Sequence, residues 1–202
     1  MKRWSILVMV SVFLLGLGGM AQATLVSTFD SDTENWTTEG ATSPSWTSPG
    51  FIQAYDNAGS WWRFVSPNGW DGNWSGYIGG SISYDIVPIN NNANQHEHNI
   101  EIWSGSNYMY WGVANEPAKG VWTTFTVALT DANFTEVGDT FSNILQNVTA
   151  LKILGDLRGG TGTGDTTGLD NVRVNAIPLP GAVWLLGSGL LRLLGLRRIR
   201  RN

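Results

Sequence analysis

Ser81-Ile82-Ser83-Tyr84-Asp85-Ile86 decides the fold class of this chain. Polar and apolar residues alternate, so an extended backbone puts Ile82, Tyr84 and Ile86 on one face and the polar residues on the other. Phe125, Val127 and Leu129 repeat the same period after Trp122, and Ile100 with Ile102 repeats it over a shorter length. Further strand-like runs are residues 51–55, 61–65, 108–113, 151–154 and 169–174. Clusters of Gly, Asn, Asp and Pro separate them at the spacing of an all-β antiparallel sandwich. One segment has a different period. Phe141, Ile144, Leu145 and Val148 fall at i, i+3, i+4, i+7, which predicts a short amphipathic helix capping an open end of the sandwich. Residues 88–99 and 155–167 are polar or glycine-rich and read as long loops.

The two ends of the chain differ in composition from this body. Lys2-Arg3, the apolar residues 6–20 and Ala21-Gln22-Ala23 have the layout of a secretory signal peptide, which places the mature start at Thr24. At the other end Pro178-Leu179-Pro180 precedes an apolar run, Gly181-Ala-Val-Trp-Leu-Leu-Gly-Ser-Gly-Leu-Leu191, and then Arg192 and Arg197-Arg198-Ile199-Arg200-Arg201. The arginines would hold the cytoplasmic side of an inner-membrane span. The apolar run is short beside the roughly 17–25 residues of an ordinary transmembrane helix, and Arg192 would have to snorkel. The expected organisation is a signal peptide at 1–23, a β-sandwich at 24–176 and an anchor at 177–202.

Pro178, Leu179, Pro180, the apolar run and the closing arginines, Arg197 and Arg198 among them, resemble a PEP-CTERM sorting domain in its Pro-Leu-Pro variant. The resemblance implies an exported protein of a Gram-negative bacterium. It would be processed by an exosortase from an inner-membrane-anchored intermediate and delivered to the cell surface or extracellular matrix. It also implies an association with exopolysaccharide and biofilm. Leu179 stands where the family name has Glu, and Arg192 where a small or apolar residue is usual. A plain tail anchor that is never cleaved is the other reading of the same residues.

Charge and cysteine content limit the chemistry of the body. All sixteen acidic residues lie between Asp30 and Asp170, against five cations in the whole body (Arg63, Lys119, Lys152, Arg158 and Arg173), a net of about −11. Such a surface repels phosphate backbones, so nucleic acid is not an expected partner, whereas divalent cations and neutral glycans suit it. The chain has no cysteine, so neither a disulfide nor a thiol is available. A body of this length buries a core without such staples.

A second resemblance runs through nearly the whole body. Phe29-Asp30-Ser31-Asp32-Thr33-Glu34-Asn35-Trp36-Thr37, Trp61-Trp62-Arg63-Phe64-Val65-Ser66-Pro67, Tyr77-Ile78-Gly79-Gly80-Ser81-Ile82-Ser83-Tyr84-Asp85 and Gly168-Leu169-Asp170-Asn171-Val172 follow one another in an order that resembles laminin domain IV, the laminin B domain. The resemblance implies a jelly-roll sandwich similar to carbohydrate-binding modules, and extracellular scaffolding or recognition without catalytic residues.

Nine tryptophans lie in the body. Trp36, Trp61 and Trp122 stand in strand-like or family-matched positions and are expected in the core. Trp46, Trp70 and Trp74 sit among loop-forming residues, where exposed rings would pack on the C–H faces of sugars; partial burial under loops is the alternative. In jelly-roll modules similar to this one a structural Ca2+ often ties the first strand to the last, and the matching positions are Asp30 and Asp170. Turn-forming carboxylates are the other reading of that pair. Gly159-Gly160-Thr161-Gly162-Thr163-Gly164-Asp165 reads as a loop rather than a calcium repeat, because it occurs once. His96-Glu97-His98 has no evident third ligand. The sequence has no nucleophile-elbow signature and no nameable carboxylate pair, so no enzyme activity is expected. The leading expectation is a non-catalytic module associating with extracellular polysaccharide. The runner-up is a structural matrix or adhesion protein working through protein contacts.

Overall fold

The computed structural model describes residues 24–59, 61–90, 99–113, 117–157 and 164–177. The signal-peptide and sorting readings, including Pro178, Leu179, Pro180, Arg197 and Arg198, lie outside the described residues, as does His96-Glu97-His98. Among the described residues, no helix is long and apolar enough to cross a membrane.

Among the described residues, twelve strands form two antiparallel sheets. Sheet I runs in the order β3 (Ser45–Thr47), β4 (Phe51–Tyr55), β12 (Thr166–Asn175), β6 (Ser81–Pro88) and β9 (Thr123–Ala128), with β1 (Leu25–Ser27) also pairing β12. Sheet II runs in the order β10 (Thr135–Val137), β8 (Asn107–Trp111), β7 (Ile100–Ser104), β11 (Ala150–Leu154), β5 (Arg63–Val65) and β2 (Thr37–Glu39). Residues opposed in an antiparallel pair share a face, so the period-2 pattern of each strand adds up to whole faces. Ile52, Ile82, Tyr84, Ile86, Phe125, Val127 and Leu169 of sheet I join Phe64, Ile100, Ile102, Met109, Leu151 and Ile153 of sheet II in one buried cluster. Burial pushes the Tyr84 phenol up.

The amphipathic segment forms α1 (Phe141–Gln146), with Phe141, Ile144 and Leu145 buried. Thr140 caps it through its side chain, which accepts from the Asn143 N–H. The helix packs against β7, β8 and the 3-10 turn Ser75–Tyr77. The strands the sequence did not announce are β1, β2, β3 and β10, each three residues long. At that length no periodicity can develop, and pairing with a longer neighbour defines the strand.

The tryptophans correct the expected distribution. Trp70 and Trp74, expected exposed in a polar loop, are buried. The loop's polar residues meet solvent while its backbone docks on the last turn of α1 and the segment after it: Gly72 and Val148 exchange N–H···O bonds of 2.8 Å, and the Trp74 N–H donates to the Leu145 carbonyl at 2.6 Å. Both rings are thereby turned inward. The Trp74 indole donates to the Trp70 carbonyl at 2.8 Å, and Trp70 packs edge-on against Trp36 at 5.3 Å. Trp36 is in the core as expected, its indole donating to Ser27 Oγ at 2.8 Å. Trp61 and Trp122, expected inside, are 37% and 44% exposed. Alternation through β5 sends Trp62 and Phe64 inward and Trp61 and Arg63 outward. Gly155 is required where it stands, because a Cβ there would fall 2.0 Å from the Trp62 ring.

Trp74→Ala should therefore cost about 3–5 kcal/mol of stability, as for a large aromatic removed from a packed core. Chemical denaturation checks this: the midpoint should fall much further than for Trp46→Ala, whose ring is 38% exposed.

Candidate functional site

The outer faces of the two sheets collect the residues that alternation excludes from the core. On sheet II, the register places Trp103 opposite Tyr108 and Ala150, and Glu101 opposite Tyr110 and Lys152. Two rows of outward side chains therefore cross the middle of the sheet, offset by two residues along each strand. Trp103 and Tyr108 stack at 4.5 Å with planes 14° apart, and Tyr110 continues the row 6.4 Å from Tyr108. The Lys152 ammonium lies 4.2 Å from the Trp103 ring centroid and 2.5 Å from Glu39. Glu39 is exposed, so that ion pair contributes little, whereas the ammonium–ring contact lies on a less exposed surface.

Glu101 organises this face. Its carboxylate is buried and accepts from Arg63 Nη2 at 2.6 Å and from Trp103 Nε1 at 2.8 Å. One acid thus fixes both a guanidinium and an indole. The Arg63 guanidinium also sits 5.9 Å from the Trp61 ring, and its Nε is buried without a hydrogen-bond partner. A buried donor left unpaired costs free energy until something accepts from it. The face therefore combines rings, a guanidinium fixed by Glu101, and a second cation on a tether. It can pack apolar ring faces and hydrogen-bond hydroxyls.

The sequence-predicted residues lie elsewhere. Trp46 is at the edge of sheet I, opposite the buried Ile52, with its indole N–H held by the Phe29 carbonyl at 2.6 Å. Trp70 and Trp74 are in the core and present no ring to a ligand. The Asp30 charge is felt at the Asp170 carboxyl, though as a smaller influence than burial or the Asp85 charge. Asp170 is pushed up to about 6, first by burial, then by the charges of Asp85 and Asp30; the Asn171 N–H and the Arg173 charge pull the other way. Among the described residues, no group of three His, Cys, Asp or Glu side chains is placed to hold a metal ion. Local composition points to loops for exposed aromatics and so passes over the sheet II residues. The available signal was parity: Glu101 and Trp103 alternate with Ile100 and Ile102, and Tyr108 and Tyr110 flank the buried Met109.

No family model matches the chain, and no curated protein matches it. Solved structures do. The L4b domain of human laminin alpha-2 superimposes with a TM-score of 0.59 at 13% identity, covering 78% of this chain and 98% of that domain. What is shared is the fold. An exo-beta-agarase matches at 0.56 and 13% identity, and the agarase AgWH50C at 0.53 and 13%. The chain spans 26% and 25% of those two enzymes while 77% and 78% of it is covered. The expected laminin-like architecture is thus met as a fold, whereas the PEP-CTERM resemblance has no family model behind it.

Two measurements probe these geometries. Glu101→Gln removes the negative charge and one of the two acceptor oxygens, so Arg63 and Trp103 cannot both be satisfied. By leaving Arg63 without its counter-charge in a largely buried position, it should lower stability by about 3 kcal/mol; a denaturation curve reads it. Asp170 favours its neutral form when folded, so its contribution is present below pH about 4 and lost as pH rises through about 6. The melting temperature of Asp170→Asn should accordingly gain on the wild type between those pH values, and a gap that is flat with pH would contradict this.

Proposed function

We propose that this protein is an exported, non-catalytic binding module that associates with extracellular polysaccharide through the outer face of sheet II. The observation that carries this reading is the Trp103–Tyr108–Tyr110 row held beside Arg63, Glu101 and Lys152. Rings fixed by stacking and charges fixed by ion pairs lose little freedom on meeting a ligand, which favours binding. The match to part of two agarases is consistent with a carbohydrate context, since their names place those enzymes on a polysaccharide. Export, exosortase processing and delivery to the surface or matrix of a Gram-negative cell rest on the residues of the two ends, Pro178-Leu179-Pro180 and the closing arginines above all. A calcium ion at Asp30 and Asp170 belongs to the same reading; the negative charge that Asp30 adds at Asp170 is what supports it, and a melting temperature unchanged by chelator would remove it.

A second reading is a structural matrix or adhesion protein acting through protein contacts. The laminin L4b match, which covers nearly all of that domain, is what favours it.

Affinity electrophoresis of the purified protein through gels containing a panel of polysaccharides separates the two. The expected result is retardation by at least one glycan, reduced about tenfold or more in affinity by Trp103→Ala and by Tyr110→Ala while the far-ultraviolet circular dichroism is unchanged. Migration unaffected by every polysaccharide, together with concentration-dependent self-association, would select the structural protein.

A further inference from the structure

The outer face of sheet I carries a different chemistry from that of sheet II. Trp122 precedes β9, and its ring meets Phe51 of β4 edge to face, 5.3 Å between centroids at 79°. The two residues belong to strands separated in the sheet by β12 and β6, so the pair arches over both. Gly168 of β12 makes room for it. A Cβ there would fall 2.8 Å from Val87 Cγ1 and 3.1 Å from the Phe51 ring. Trp122 stays 44% exposed above this floor.

Beside the aromatic pair lie carboxylates. The register pairs Asp170 with Asp85 and Asp85 with Thr124, two residues along each strand from Gly168, Val87 and Trp122 and on the same face. Neutral donors orient both acids: Thr124 Oγ1 donates to Asp85 Oδ1 at 2.5 Å, and the Asn171 side-chain amide donates to Asp85 Oδ2 at 2.9 Å and Asp170 Oδ2 at 3.1 Å. Neither acid forms an ion pair among the described residues. Asp30 adds a third negative charge and Arg173 a single positive one. This is an exposed ring next to fixed, unneutralised negative charge, on a body whose net charge is about −11. A neutral sugar would use the ring and leave the charge unanswered. An anionic sugar would be repelled. A sugar bearing an ammonium group answers both features, since an ammonium–carboxylate contact is a charge-assisted hydrogen bond.

We propose that this face is a second glycan surface, which takes polysaccharides containing unacetylated amino sugars, with the sugar ring on Trp122 and its ammonium at Asp85 and Asp170. The two faces lie on opposite sides of the sandwich, so one molecule can hold two chains and cross-link them. This inference uses none of the sheet II residues, so it stands or falls separately from the polysaccharide face proposed above. It competes for Asp170 with the calcium ion considered there, and the calcium arm of the test decides between them.

The test is titration calorimetry of the full-length protein with glucosamine oligosaccharides and, in parallel, with their N-acetylated counterparts at near-neutral pH. The amine form should bind about tenfold tighter or more, and its affinity should fall several-fold between roughly 0.05 and 0.5 M NaCl as screening grows. Trp122→Ala and Asp85→Asn should each weaken it about tenfold, with Trp122→Phe partly restoring it if the alanine variant folds poorly. Equal affinity for both forms would overturn the proposal, as would loss of binding in Trp103→Ala with none in Trp122→Ala. Calcium that displaces the oligosaccharide and raises the melting temperature equally in wild type and Trp122→Ala would also overturn it, making the carboxylates a cation site. Failure at Trp103 alone, with the Trp122 dependence intact, would count against the sheet II reading and leave this one standing.

Discussion

Sheet I is organised on one strand, β12, and on one irregularity within it. The first half of β12 pairs with β4 and its second half with β1, while β6 follows it along its whole length on the other side. The register against β6 shifts between Asp170 and Arg173. Asn171 sits at the shift with φ of 51°, a left-handed conformation that asparagine tolerates better than most residues. The bulge lets Leu169, Val172 and Val174 all reach the core, although strict alternation from Leu169 would have turned Val172 outward. It also aims the Asn171 amide at Asp85 and Asp170, so the same distortion that keeps the core continuous builds the acidic cluster on the outer face.

The rest of the molecule follows from a partition by parity. Inward positions are filled by β-branched and aromatic residues, outward positions by rings and charges that the core cannot take. On sheet II the outward residues satisfy one another. Glu101, buried yet outward, is compensated by Arg63 and Trp103, and Lys152 is drawn over the Trp103 ring. On sheet I the outward acids are oriented by neutral donors and their charge stays in place. The two faces of one sandwich therefore differ in electrostatic character, one internally neutralised and one negative. Likeness to laminin L4b and to part of two agarases concerns the scaffold that both faces share. Function belongs to the side chains mounted on it.

The sequence by itself determined the class of fold, the identity of the long strands and the helix. Ile82, Tyr84 and Ile86, or Phe141, Ile144 and Leu145, are spaced so that only one secondary structure gathers them on a face, and burial of that face follows from the hydrophobic effect. Local spacing could not decide which tryptophans would be exposed. Trp70 and Trp74 sit among polar residues yet are buried, because Gly72 and Val148 pair across 76 positions of sequence and fold the loop onto the chain after α1. Trp61 and Trp62 are adjacent and equally apolar, and the alternation that runs on into β5, where Phe64 opposes the buried Ile153 of β11, leaves one out and the other in. The candidate sites have the same origin. Glu101 meets Arg63, and Asp85 meets Asp170, across strands whose order in the sheets is not their order in the chain. Periodicity specifies which side of a strand a residue occupies; only the tertiary pairing decides what it finds there.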